Sequence, residues 1–176
     1  SVSAFLLNRS SDLRFKMRLW HNLMIPYLPK QQLLGQWREC CLIASLLAKD
    51  HTPNHILVNP VLDYPPEHFE IYCSMVYNTM VKRGMKVTDE VCKRLEMDLR
   101  AWRLYLNADL PWDCFIKDFD LKTDIVLFSE CHNQRYFRQC YYNIEEKYDR
   151  GGVPKDEWLK FFANAYEREV RNVYNL

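Results

Sequence analysis

The chain has 176 residues, 48% of them hydrophobic and 27% charged, which suffices for one domain with its own core and excludes two domains of ordinary size. Aromatic residues at 14% against only four glycines exclude a disordered or low-complexity polymer, because such a chain can bury enough apolar surface to offset its ordering entropy. With 24 Lys and Arg against 23 Asp and Glu, the net charge is +1, so any contact with nucleic acid must come from a local basic patch rather than from an overall field.

The first sixteen residues, SVSAFLLNRSSDLRFK, are rich in Ser and Arg, and Asp12 is their single acid. They have the composition of an organellar targeting remnant, and equally that of a plain flexible arm. The chain opens on Ser1 rather than Met, as either a processed end or an artificially cut one would. The first reading places the protein in the mitochondrion or another organelle's matrix, and the second leaves it elsewhere in a reducing, intracellular setting. Three regions are expected: an N-terminal extension over 1–16, a helical domain over 17–150, and a C-terminal helix over 151–176 that packs on the domain or extends from it.

Apolar spacing predicts five helices. In the first, from about Pro29 to Lys49, Leu33, Leu34, Trp37, Cys41, Ala44 and Leu47 recur at intervals of three and four. A loop with Pro60, Pro65 and Pro66 leads to the second, about Pro66 to Arg83, with Phe69, Tyr72, Val76 and Met80 on one face and Gly84 as a left-handed stop. Thr88 can cap the third, whose apolar positions are Val91, Leu95, Leu99, Trp102 and Leu106, with an end near Asn107. The stretch from Ala108 to Glu130 holds Pro111 and a short apolar run, Ile125 to Phe128, and reads as a long irregular loop. The fourth helix is expected from about Asn133 to Tyr148, closed by Gly151 and Gly152, and the fifth from Lys155 to about Tyr174, carrying Trp158, Phe162, Ala165, Tyr166 and Val173. The fold class is therefore all-α, a single compact bundle of about five helices, with Trp37, Val76, Leu95, Leu99 and Trp102 in the core. The last helix has more aromatic residues (Trp158, Phe161, Phe162, Tyr166, Tyr174) than one stripe about 100° wide needs, which fits a partner surface or a helix that wraps the bundle. No apolar run approaches the roughly 20 residues a bilayer requires.

The seven cysteines (Cys40, Cys41, Cys73, Cys92, Cys114, Cys131, Cys140) include no C-x-x-C and sit mostly within apolar periodic stretches, as buried free thiols do. Cys131, His132 and Cys140 could contribute to a zinc tetrahedron, but no second ligand pair has metal-site spacing. Neither a metal nor another cofactor is expected.

Two stretches carry more information than their periodicity: Met-Arg-Leu-Trp-His at 17–21, and Pro-Lys-Gln-Gln-Leu-Leu-Gly-Gln-Trp-Arg-Glu-Cys-Cys at 29–41. Together they resemble the pyrimidine dimer DNA glycosylases, the family of the phage ultraviolet-repair endonuclease and its bacterial relatives. The likeness continues through the Pro-rich loop, Lys82-Arg83-Gly84, and Glu130-Cys-His-Asn-Gln with Tyr136, so that it covers roughly 17–148. The resemblance implies a compact helical protein that flips nucleotides at photoproducts, attacks the sugar with an amine and cleaves the strand by elimination from the imine. It places Glu39 as the carboxylate that stabilises the cationic sugar and moves the proton for elimination. It places Arg18 and Arg38 on phosphates and the deformed duplex, with Lys30 as a further nucleic-acid contact. An adjacent Arg and Glu on a helix point about 100° apart, so an ordinary exposed face is the alternative reading of Arg38 and Glu39.

The sequence departs from the family at the nucleophile. An imine needs an unprotonated amine, which an α-amino group with a pKa near 8 supplies far better than a lysine at about 10.4. The resemblance makes that amine the chain's own terminus, next to the arginine matched by Arg18, whereas here sixteen residues precede Met17. Lys16 or Lys30 could substitute only with a lowered pKa. Past Glu39, Leu42 and Ile-Ala-Ser-Leu-Leu-Ala stand where the family keeps basic residues, and Asp113, Asp118 and Asp120 would repel a duplex near the site. The expected function is a non-catalytic or attenuated glycosylase-like protein, a structural and nucleic-acid-binding subunit of a larger assembly such as an organellar ribosome. Its partners would be RNA or DNA and protein subunits. The alternative is an active pyrimidine dimer glycosylase with strand-cleaving lyase activity, which requires a free amine near Arg18 and Glu39.

Overall fold

The computed structural model describes residues 19–53, 55, 57–108 and 126–173, with side chains as far as 166. A 3-10 helix over Asn22–Tyr27 leads into α1 (Lys30–Asp50), α2 (Asn59–Leu62), α3 (Pro66–Lys82), α4 (Asp89–Tyr105), α5 (Gln134–Asp149) and α6 (Lys155–Val173). There is no strand among the described residues, so the all-α expectation holds. The five long helices fall within about two residues of the expected ends. The 3-10 helix and α2 were invisible to periodicity because six and four residues hold too few apolar repeats. The 1–16 extension, most of the irregular loop with Cys114 and its three acids, and Tyr174 lie outside the described residues.

Helix ends follow from local chemistry. At α3 the Gly84 N–H donates to the Val81 carbonyl at 2.9 Å and the Met85 N–H to the Met80 carbonyl at 3.0 Å, a Schellman stop that Gly84 allows by its φ of +67°. Gly151 and Gly152 close α5 in the same way on Tyr148 and Lys147. Thr88 caps α4 through the Val91 N–H, and Asn133 caps α5 through the Tyr136 N–H. Helix α1 follows Pro29, which has no side-chain cap to offer; instead Glu157 of α6 accepts the Lys30 N–H at 2.6 Å. A long-range contact thus replaces a local one and ties the last helix to the first.

The core lies where α1 packs on α3 and α4 and where the 3-10 helix meets α3 and α6. Trp37, Val76, Leu95, Leu99 and Trp102 are all buried. On α4 the buried stripe runs Cys92, Leu95, Leu99, Trp102 and Arg103, so Val91, one residue off that stripe, is 39% exposed. Leu106, past the last turn, is exposed as well. On α6 Trp158, Phe161 and Ala165 are buried, Phe162 is half-buried, and Tyr166 faces outward with its ring stacked on Phe162. The surplus aromatics therefore neither all enter the core nor form one outward face. Leu42 is exposed, while Ile43, Ala44 and Leu47 are core, so only part of the apolar run after Glu39 serves packing.

One buried charge pair joins α3 to α4. Arg103 Nε donates to Glu70 Oε1 at 2.5 Å and Nη2 to Glu70 Oε2 at 2.6 Å, with Glu67 Oε1 at 2.9 Å from the same nitrogen. The bidentate geometry offsets part of the cost of removing both charges from water.

Candidate nucleic-acid site

The site is built from one turn of α1 and the chain start it touches. Successive residues on α1 rotate by about 100°, so Gln36 and Cys40 face inward, Arg38 faces solvent and Glu39 lies between them, half-buried. Gln36 Oε1 accepts the Trp20 N–H at 2.8 Å. One residue back, the Leu19 carbonyl accepts the Tyr136 hydroxyl at 2.7 Å, and the Trp20 carbonyl accepts the Tyr72 hydroxyl at 2.7 Å. Side chains from α1, α3 and α5 therefore converge on two adjacent residues. Burial pushes both phenols well above the usual tyrosine range, so they stay protonated and remain donors.

Below this clamp, His21 and His132 stack with ring centroids 5.0 Å apart. His21 Nε2 lies 2.9 Å from the His132 carbonyl and Nδ1 accepts the Leu23 N–H at 3.2 Å, which assigns the Nε2–H tautomer of a neutral ring that also caps the 3-10 helix. His132 Nδ1 lies 3.2 Å from the Asn22 backbone nitrogen and 3.0 Å from Asn22 Oδ1, so Asn22 holds this ring through both its backbone and its side chain. Burial lowers His21 to about 4, against a smaller opposing effect of its carbonyl partner, and burial followed by the proximity of His21 lowers His132 well below the ordinary range. Tyr136, Phe137 and Phe128 complete the aromatic cage. Phe128 itself is fully buried at a φ of +51°, with its N–H given to His68 Nδ1 at 3.1 Å.

Of the residues expected to carry chemistry, Arg38 is exposed, Glu39 is half-buried beside it, and Lys30 is exposed at the first turn of α1. Arg18, Met17 and Lys16 lie outside the described residues. Lys30 is nine residues before Glu39, about 13 Å along the helix axis, which separates it from the carboxylate a substitute nucleophile would need. Cys131 takes a weak hydrogen bond from the Tyr64 hydroxyl and His132 Nδ1 points at Asn22, so these two candidate ligands do not face one ion. No group of three or more His, Cys, Asp or Glu side chains is arranged for a metal among the described residues. The six described cysteines are free, and burial pushes Cys41 and Cys140 up to about 12, which keeps these thiols protonated and unreactive. The clamp residues Gln36, Tyr72 and Tyr136 were present in the motifs and helix stripes, but nothing in their spacing marks a hydrogen bond to backbone 16, 52 and 117 residues away.

Residues 17–92 match the family model of the pyrimidine dimer DNA glycosylases. The match bears out the resemblance carried by Met17–His21 and Pro29–Cys41, and it spans less than half of the chain. It takes in the 3-10 helix, α1, α2, α3 and the first residues of α4, and so includes Gln36, Arg38, Glu39 and Tyr72. Tyr136 and His132, which complete the clamp and cage, lie beyond it, as does all of α6. Neither a curated protein nor a solved structure was found to match the chain.

Proposed function

We propose that this protein is a pyrimidine-dimer-glycosylase-type protein whose attacking group is the α-amino nitrogen of Met17 in a form that begins there. The observation that carries the reading is the clamp on Leu19 and Trp20. Three residues extend at most about 11 Å, so an amine on Met17 is tethered within that distance of the backbone groups held by Tyr136 and Gln36. Glu39 follows Gln36 by three residues and lies on the neighbouring turn of the same helix. The arrangement supports a sequence in which the neutral amine adds to the sugar carbon and the glycosidic bond breaks. Glu39 then offsets the cationic charge and takes the proton whose loss expels the 3′ phosphate. Arg38, exposed next to it, is the phosphate contact.

With sixteen residues ahead of Met17 the same nitrogen is a peptide amide and cannot attack. That feature, with the outward Tyr142, Leu159 and Tyr166 on α5 and α6, favours a second reading: a nucleic-acid-binding subunit without chemistry in a larger assembly, such as an organellar ribosome. Borohydride trapping on abasic duplex DNA separates the two. A form beginning at Met17 should give a covalent adduct, which Glu39→Gln should still give while losing strand cleavage, and the 176-residue chain should give none. Absence of an adduct from the shortened form would overturn the catalytic reading and leave the second.

A further inference from the structure

A cleft of about 870 Å³ opens where the end of the 3-10 helix, the first turns of α1, the α3–α4 turn and the start of α6 meet. Its position follows from contacts already described. Glu157 holds the α1 N-terminus from α6, and Arg83 donates to the Leu28 carbonyl at 2.5 Å and the Pro26 carbonyl at 2.6 Å, which fixes the end of α3 against the 3-10 helix. Four elements are thereby fastened around a space that none of them fills.

The walls are cationic. Lys30 comes from α1, Lys86 from the α3–α4 turn and Lys160 from α6, and none of their ammonium groups is within 4 Å of a carboxylate in an ion pair among the described residues. With Arg83 they make four cations against two carboxylates, Asp156 and Glu157, and Glu157 is already engaged by the α1 backbone. Leu34 and Met85 supply apolar surface in the same cleft. Unpaired ammonium groups from separate elements around an open, partly apolar cleft suit an anion with a carbon framework, and a phosphodiester strand is such a group.

The cleft is also aligned with the candidate site. Lys30, Leu34 and Arg38 are spaced i, i+4, i+8 and so share one stripe of α1, with Lys30 and Arg38 about 12 Å apart along the axis. At about 3.4 Å of axial rise per step, that is three to four nucleotides of duplex. We infer that the cleft formed by Lys30, Lys86 and Lys160 grips the DNA backbone three to four nucleotides from the damaged position, so that α6, outside the family match, enlarges the nucleic-acid surface. The assignment rests on the proposed function for its register only, because it needs no imine chemistry.

The test is fluorescence anisotropy of the full chain with a labelled duplex containing a tetrahydrofuran abasic analogue, measured across a salt series. The double variant Lys86→Gln, Lys160→Gln should lower the log–log salt slope by about 1.8 and weaken binding at every salt concentration. A charge-matched control, Lys49→Gln with Lys93→Gln, changes exposed lysines outside the cleft and should leave the slope near that of the parent. Thermal melting checks that all three proteins fold alike. Equal slopes for the two double variants, or no duplex binding by the parent chain, would overturn the cleft assignment. Displacement of the duplex by millimolar thymidine 5′-monophosphate would overturn it too, in favour of a free-nucleotide pocket; no displacement is expected. Imine trapping is read separately: a lost salt slope without trapping retains the cleft and sinks the catalytic reading, and trapping with an unchanged slope does the reverse.

Discussion

The Tyr136 hydroxyl donates to the Leu19 carbonyl at 2.7 Å across 117 residues of sequence. A helix beyond the matched segment therefore holds the start of that segment in place, and the geometry next to Glu39 depends on both halves of the chain. Replacing Tyr136 with Phe removes the donor and leaves the buried Leu19 carbonyl unpaired, which should cost about 1 to 3 kcal/mol in urea unfolding. The form beginning at Met17 should also lose trapping rate beyond what reduced folding explains. Stability within about 0.3 kcal/mol of the parent would show that the bond holds nothing.

The stacked imidazoles predict acid sensitivity. Both rings are neutral when folded, and His21 is held to about 4 by burial, whereas an unfolded histidine titrates near 6.5. Between those values the unfolded chain binds more protons than the folded one, so stability falls as pH drops through 6.5 toward 4. The slope approaches about 1.4 kcal/mol per pH unit for each ring. Below about 4 the His21 contribution is spent. Urea midpoints measured from pH 7 to pH 4 should fall accordingly, and His21→Gln should flatten the upper part of the curve; an unchanged slope in that variant would place the titration elsewhere.

Arg103 and Glu70 test a buried pair from both sides. Glu70 is 1% exposed, so Arg103→Met strands a carboxylate in the core and should destabilise by about 3 to 5 kcal/mol. Pairing it with Glu70→Leu removes both charges and should recover most of that loss. A double variant no more stable than the single one would mean that the pair supplies packing rather than charge compensation.

The bundle was legible because five amphipathic helices each repeat their apolar positions over sixteen residues or more, and Gly84 and Gly151 mark two of the stops. On α4 the sequence stripe was right at Leu95, Leu99 and Trp102 and wrong at Val91, which sits one position from the buried Cys92. Leu95→Ala should accordingly cost about 2 to 5 kcal/mol and Val91→Ala less than about 1 kcal/mol, read from urea midpoints. The clamp was not legible, since a tyrosine or glutamine that bonds a distant backbone carbonyl or amide looks in sequence like any other helix residue. Its residues became a site only when α3 and α5 were seen to meet the chain at Leu19 and Trp20.

Arg38 and Glu39 are adjacent in sequence and differ in surroundings, so their replacements should fail in different ways. Arg38 is exposed, and Arg38→Gln removes the proposed phosphate contact without disturbing the core. Stability should stay within about 0.5 kcal/mol, while the salt slope of duplex binding falls by about 0.9. Glu39→Gln keeps the shape of a half-buried side chain but cannot accept the proton that elimination requires. Duplex affinity should therefore change little, while strand cleavage by the form beginning at Met17 falls about 10²- to 10⁴-fold. Cleavage at the parental rate by Glu39→Gln would remove this carboxylate from the chemistry, and an unchanged salt slope in Arg38→Gln would place the strand on another face of α1.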